Sequence, residues 1–300
     1  MEVVITRDAE EFAARTELYL AQSPDRNIMA TTLVGVRAGH YAHTEPLFAY
    51  AHQPTSPSLH GGSSTQVVAA ALRTPPWPLL ASGFEDPKLA EALLVKWLGH
   101  DPRPPGIRGD PHTARSLAHE YERLTGGEAR LEFSEAMHSL RKVEGPPRPA
   151  PGRLRPIERH DRELLIGWER EFALEAGLGD GSHAARTIDR RLNEYLGFVW
   201  EDDGAPVCMV GFNPPVAGIV RIGPVYTPPN HRSHGYASSA VAETSRRLLA
   251  KGASGCMLLT DLANPTSNRI YASIGYTRFG AWHEYRLIAS RARSDTPLRT

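Results

Sequence analysis

Residues 230–252 read NHRSHGYASSAVAETSRRLLAKG, a polar loop with two histidines, an arginine and a glycine that runs straight into a helical segment. The first N–H groups of a helix have no partner inside it, and the macrodipole adds partial positive charge there. Gly235 lets a ligand approach the backbone, Ala237 is small, and His231, Arg232 and His234 add donors and charge. That combination suits an anion, a phosphate or diphosphate above all. On spacing alone a plain strand-to-helix turn fits as well. A second cluster follows one strand later, in DLANPTSNRIYASIGY. Its Asn264, Asn268 and Tyr271 stand three to four residues apart and share one helix face, an unusual place for two amides and a phenol. Asn264 by itself also reads as a helix cap, ahead of Pro265 at the first helical position.

These clusters need a frame. Residues 218–227 are expected as the strand into the loop, 236–251 as the helix after it and 256–261 as the next strand. Upstream, 153–157 reads as a strand. Leu164, Leu165, Trp168, Phe172 and Ala176 recur at helical spacing over 159–177. Ser182 is placed to cap a second helix through Tyr195. Residues 198–201 and 206–212 form a hairpin across a DDG turn, and 281–288 closes the half as a strand. The N-terminal half is fainter. Helices are expected at 9–21, 86–98 and 111–124, and strands at 28–36, 66–73, 77–83, 106–108 and near 136–143. Both halves close in the order strand, helix, strand, helix, strand, which predicts an internal duplication at the level of fold. Between them EGPPRPAPG, residues 144–152, predicts a stiff extended linker. The expected domains are therefore 1–143 and 153–289, with a disordered tail at 290–300. The polar stretch 52–65 carries no assigned chemistry.

Lys+Arg and Asp+Glu number 34 each, and this zero net charge argues against nucleic acid or an anionic membrane as the bulk partner. Hydrophobic content of 41% against 23% charged predicts a folded globular chain. The opening MEVVITRDAEEF has no basic segment followed by an apolar core, so no secretory signal is expected. No apolar run approaches the ~20 residues of a spanning helix. Cys208 and Cys256 are too few for a disulfide framework or a zinc site and are expected as buried reduced thiols, in keeping with a cytoplasmic location. No metal is expected: His40/His43 and His112/Glu120 do not match a ligand pattern and read as surface residues.

The pattern V-Y-T-P-P-x-x-R-x-x-G-x-A at 225–237, followed by T-D-x-x-N-P-x-S-N-x-x-Y-x-x-x-G-Y at 260–276, resembles the GNAT acetyltransferase superfamily. The resemblance covers about residues 153–288 and is nearest to bacterial members with two such domains in tandem. It implies an α/β fold of the mixed α+β-sheet kind: two GNAT-like domains, each a mostly antiparallel twisted sheet flanked by helices. The first would be a degenerate copy. Its corresponding joint, LLASGFEDPKLAEALL, lacks the Arg-x-x-Gly-x-Gly/Ala turn, and Glu85 and Asp86 would repel a diphosphate. The resemblance implies acetyl-CoA as cosubstrate. The loop of Arg232, Ser233, His234, Gly235, Tyr236 and Ala237 would bind the coenzyme diphosphate. Val225, Tyr226 and Thr227 would pair with the pantetheine arm like an added strand, with Asn264, Ser267 and Asn268 also on the coenzyme side.

Tyr271 would stand near the sulfur as general acid to the leaving thiolate. A main-chain N–H near Val225 would stabilise the oxyanion. The proton acceptor is open among Glu171, Glu175 and Glu284, or a water relay; Glu175 is carried forward as the catalytic carboxylate. No covalent intermediate is needed, which discounts both cysteines as nucleophiles. The reading is acyl transfer to a primary amine, with a small-molecule or amino-acid-like acceptor, no nucleic-acid or membrane partner, and a monomer or homodimer. Transfer to oxygen, a longer acyl group, a coenzyme A sensor without turnover, and a scaffold are the alternatives.

Overall fold

The computed structural model describes residues 1–54 and 65–290. The expected polar loop at 52–65 and the disordered tail at 290–300 therefore lie, but for their ends, outside the described residues. The first half runs β1 (Glu2–Thr6), α1 (Ala9–Ala21), α2 (Asn27–Arg37), β2 (Leu47–Pro54), β3 (Thr65–Arg73), β4 (Leu79–Ser82), α3 (Pro87–His100), β5 (Gly106–Gly109), α4 (Pro111–Thr125) and β6 (Glu128–Leu140). The second half runs β7 (Arg153–Pro156), α5 (Arg162–Glu175), α6 (Ala184–Glu194), β8 (Gly197–Asp202), β9 (Ala205–Phe212), β10 (Ile219–Tyr226), α7 (Tyr236–Ala250), β11 (Gly255–Asp261), α8 (Pro265–Ala272) and β12 (Thr277–Ile288). The succession of strands and helices is the same in the two halves.

The compact units do not coincide with the two halves. Among the described residues, one unit holds those of 1–135 together with 280–290; the other holds 136–279. Both boundaries fall inside strands, β6 and β12, whereas the sequence suggests 1–143 and 153–289. In the first unit the strands neighbour one another in the order β1-β2-β3-β4-β5-β12. β12 pairs antiparallel with β5, from His283↔Gly109 to Arg286↔Gly106, and so closes an edge that would otherwise expose unpaired backbone groups. In the second unit the order is β6-β11-β10-β9-β8-β7. Strand partners are chosen at long range, which a local pattern along the chain does not record.

Each unit has its own core. Trp97, Phe84, Leu93, Leu94, Leu79 and Ile107 anchor the first. Ala69–Leu72 of β3 is buried without alternation, as befits a strand covered on both faces. Phe198, Phe212, Val210, Val241, Ile274 and Tyr276 anchor the second. Cys208 and Cys256 lie in that core as free thiols, and burial pushes them up to about 12 and about 11.

Three local expectations need correction. Residues 28–36 suggest a strand because of their β-branched content, but they form α2, where Met29, Ala30 and Leu33 share a buried helical face. Ser182 does not cap α6: His183 holds that position without a side-chain bond, while Asp180 accepts the Ser182 N–H at 2.9 Å. Glu120 is not a surface residue; it is buried and accepts from Arg123 Nε at 2.7 Å. Residues 144–152 hold no helix or strand and are fastened within the second unit. Ala150 N–H donates to Ser239 Oγ at 2.9 Å, and Trp200 Nε1 donates to the Pro151 carbonyl at 2.7 Å.

One ion pair fixes β7 to the start of α5. Asp161, 2% exposed, accepts from Arg155 Nη1 at 2.7 Å and Nη2 at 2.9 Å, and from the Glu158 N–H at 2.9 Å. Burial pushes this carboxyl up, but the Arg155 bonds, the Glu158 N–H and the Arg155 charge outweigh it and hold it below the usual range. A depressed folded-state value gives stability that is present above an unfolded pKa of ~4 and lost as pH falls through the folded value. Arg155→Met leaves a buried charge unpaired and is expected to cost about 3–5 kcal/mol in urea unfolding at neutral pH. The gap from the parent chain should shrink as the pH is lowered through that window.

Candidate functional site

The second unit's site is built around the parting of two parallel strands. β10 and β11 pair only through Ile219↔Gly255, Val220↔Cys256 and Arg221↔Met257. β10 then shifts register between Ile222 and Val225 while staying with β9 through Val225↔Val210 and Tyr226↔Met209. Beyond Arg221 the side of β10 once turned to β11 is free of the ladder among the described residues. An extended ligand carrying amides can add there as a strand does.

At the end of β10 the chain turns through Pro229–His231 into α7. Ser233 and Gly235 are both left-handed, at φ 68° and 80°. No side chain caps α7; its first main-chain bond with a non-helical residue runs from Ser239 N–H to the Gly235 carbonyl at 3.1 Å. Among the described residues nothing accepts the N–H groups before it, which leaves them for an outside acceptor. His234 braces the turn, with Nδ1 2.7 Å from the Arg232 carbonyl and its ring stacked on Tyr236 at 5.6 Å. Tyr236 in turn donates to Asp202 at 2.5 Å, and Ala237 packs against the core. These residues meet the needs of an anion: free amides, a helix start and a nearby guanidinium.

The corresponding joint of the first unit is closed. Asp86 caps α3 by accepting the Lys88 N–H at 2.8 Å, and Thr113 Oγ1 accepts the Gly83 and Phe84 N–H groups at 3.1 and 3.2 Å. β4 and β5 stay paired through Ala81↔Gly109. They approach so closely that a Cβ on Gly109 would lie 2.4 Å from the Ala81 carbonyl oxygen. Its own side chains occupy the amides, and its strands do not part.

Five of the residues singled out in the sequence form one cluster. Arg232 Nη2 donates to both Glu175 oxygens at 2.8 and 2.7 Å, and Nε donates to the Thr227 carbonyl at 2.9 Å. Tyr226 donates to Glu171 Oε2 at 2.9 Å and lies 3.2 Å from Glu175 Oε1. Burial first, then the Glu171 bond and the two carboxylates, raise the Tyr226 phenol well above its usual range, so it stays a donor.

Asn264, Ser267 and Asn268 serve the start of α8. Asn264 Oδ1 accepts the Ser267 N–H at 3.1 Å. Asn268 Nδ2 donates to the Asn264 and Asp261 carbonyls, and its Oδ1 accepts from Thr260 at 2.5 Å. Tyr271 lies in the core, 9% exposed, edge-on to Tyr276 at 6.1 Å. Burial, with the neighbouring Cys208 second, raises its phenol, which keeps it protonated. Glu284 belongs to the first unit, where it lies 3.5 Å from Arg108.

Two further residues carry no signal in the motif reading. Arg191, 6% exposed, donates to the carbonyls of Leu196 at 3.3 Å, Phe212 at 3.4 Å and Gly223 at 3.2 Å, which ties the end of β9 to the register shift of β10. Burial pulls its guanidinium down to about 10, against the opposing charge of Glu169. Glu169 is itself raised by burial, with the charges of Arg191 and Arg190 opposing, and its Oε2 is buried without a hydrogen-bond partner. Ala184, Ile188 and Arg191 are the buried residues of α6, so the arginine completes an apolar stripe at helical spacing, and that spacing is the signal that marks it.

Residues 161–276 match the acetyltransferase (GNAT) family model. No curated protein matches the chain. Among solved structures, a GNAT-family acetyltransferase from Colwellia psychrerythraea is similar over 96% of this chain and 100% of its own, with a TM-score of 0.61 at 9% identity. A GCN5-related N-acetyltransferase from Sphaerobacter thermophilus is similar over 96% of each chain, with a TM-score of 0.60 at 15% identity. At such identities the likeness is one of fold, and it spans both halves. The open strand pair, the uncapped turn and the family match fall on the same stretch: residues 161–276 of this chain are a domain of the GNAT acetyltransferase family.

Proposed function

We propose that the second unit moves an acetyl group from acetyl-CoA to a primary amine on a small or amino-acid-like acceptor, by direct attack and without a covalent enzyme intermediate. The observation that carries this reading is the parting of β10 from β11 beside an uncapped, left-handed turn at the head of α7. The amides of 233–238 and the Arg232 guanidinium would hold the diphosphate, and the free side of Val225–Thr227 would take the pantetheine arm. The coenzyme supplies the acetyl thioester.

The chain's own residues then do the rest. Orientation on a fixed scaffold supplies much of the rate. A main-chain N–H near Val225 stabilises negative charge on the acetyl oxygen. Tyr271, kept protonated by burial, gives its proton to the departing sulfur. Glu175, at the end of α5 beside Tyr226, takes the proton that the ammonium must lose. The buried thiols fit a reducing, cytoplasmic setting.

The test is acetyl-CoA consumption by the full chain against a panel of amines and free amino acids. Turnover with at least one amine is expected. Thermal stabilisation by coenzyme A with no turnover would support a sensor instead, and no stabilisation would support a scaffold. Asp86→Ala provides a control in the first unit: it is expected to lower stability by about 1 kcal/mol through the lost cap while leaving coenzyme affinity unchanged in calorimetry.

A further inference from the structure

We propose that Glu175 and the coenzyme diphosphate compete for Arg232, so that coenzyme binding uncovers the Glu175 carboxylate before the amine is engaged. The inference rests on the coenzyme reading above and adds a coupling within that site. The Nε–Nη2 edge of Arg232 is already spent, on the Thr227 carbonyl at 2.9 Å and on both Glu175 oxygens at 2.8 and 2.7 Å. The guanidinium also stands 5.7 Å from the centre of the Tyr226 ring. A planar fork grips phosphate best through two parallel N–H bonds, and it cannot offer the same edge to two anions at once.

The resting pair is poised to open. Its side chains are 45% and 48% exposed, and exposed ion pairs are weak. A diphosphate brings more charge than one carboxylate, and the α7 amides hold it in place while Arg232 turns. Glu175 then keeps only the Tyr226 hydroxyl at 3.2 Å, which Glu171 already shares at 2.9 Å. With both oxygens held by the guanidinium the carboxylate is closed to the acceptor ammonium; once released it can be reached. Binding energies are reciprocal, so whatever Arg232 gives Glu175 at rest is subtracted from coenzyme affinity.

The test is calorimetric titration of coenzyme A into the full chain and its Glu175→Gln, Glu171→Gln, Arg232→Gln and Glu175→Gln/Arg232→Gln variants. Removing the Glu175 charge is expected to tighten coenzyme A by about three- to fivefold, the size of an exposed ion pair. Glu171→Gln removes the same charge one turn earlier on α5 without touching Arg232, and should change affinity less than about twofold. Arg232→Gln should weaken binding, and in that background the Glu175→Gln gain should vanish. Dephospho-coenzyme A, which retains the diphosphate, should show the same gain. No tightening by Glu175→Gln would overturn the inference, as would a gain matched by Glu171→Gln, surviving without Arg232, or lost with dephospho-coenzyme A. A parent chain that binds no coenzyme A would overturn the coenzyme reading itself, a result distinct from all of these.

Discussion

Gly235→Val is expected to remove coenzyme A binding, weakening it by about a hundredfold or more in calorimetry while the chain stays folded. Gly235 sits at φ 80°, where a side chain costs roughly 1–2 kcal/mol and a β-branched one more. A Cβ there would lie 3.3 Å from the Arg148 carbonyl oxygen, on the linker that is stapled to α7 through Ser239. The valine therefore acts by forcing the turn to rebuild and re-aiming the amides at the head of α7, while its own bulk presses on the linker. Binding that survives unchanged would mean those amides hold nothing. A fall in melting temperature of a few degrees is expected alongside, since strain of that size shifts a domain this large only modestly.

Tyr271→Phe is expected to lower turnover by about a hundredfold with coenzyme affinity nearly intact, the lower end of what a positioned acid supplies. The substitution keeps the ring and its edge-on contact with Tyr276, and it removes only the hydroxyl. Because burial raises this phenol, the donor form persists through the neutral range and above pH 10. The parent chain should therefore show no loss of rate from Tyr271 as the pH rises toward 10. Equal turnover by the two proteins would take Tyr271 out of the acid role.

Much of the second unit is legible along the chain, because its signals are local. The apolar spacing of α5, the glycine at the head of α7 and the Asn264-Pro265 start of α8 each depend on residues a few positions apart, and Asn264 does cap that helix. The two cysteines in apolar runs are buried free thiols. What depends on distant partners is not legible. The sequence reading assigns nothing to β1 and β2, takes α2 for a strand, and leaves β12 with the half that encodes it, although it pairs with β5. The candidate site divides in the same way. Its residue types and spacing are visible in the motif, but the Arg232–Glu175 pair joins residues 57 apart. The triple grip of Arg191 on Leu196, Phe212 and Gly223 exists only once α6, β9 and β10 are folded together.

The most direct measurement is a crystal structure of the full chain grown with coenzyme A. The account predicts density for the diphosphate against the main chain of residues 233–238, with Arg232 swung away from Glu175 and the thiol end directed to Tyr271. Coenzyme A lodged in residues 1–135 instead, or a head of α7 with nothing bound at saturating coenzyme, would contradict it.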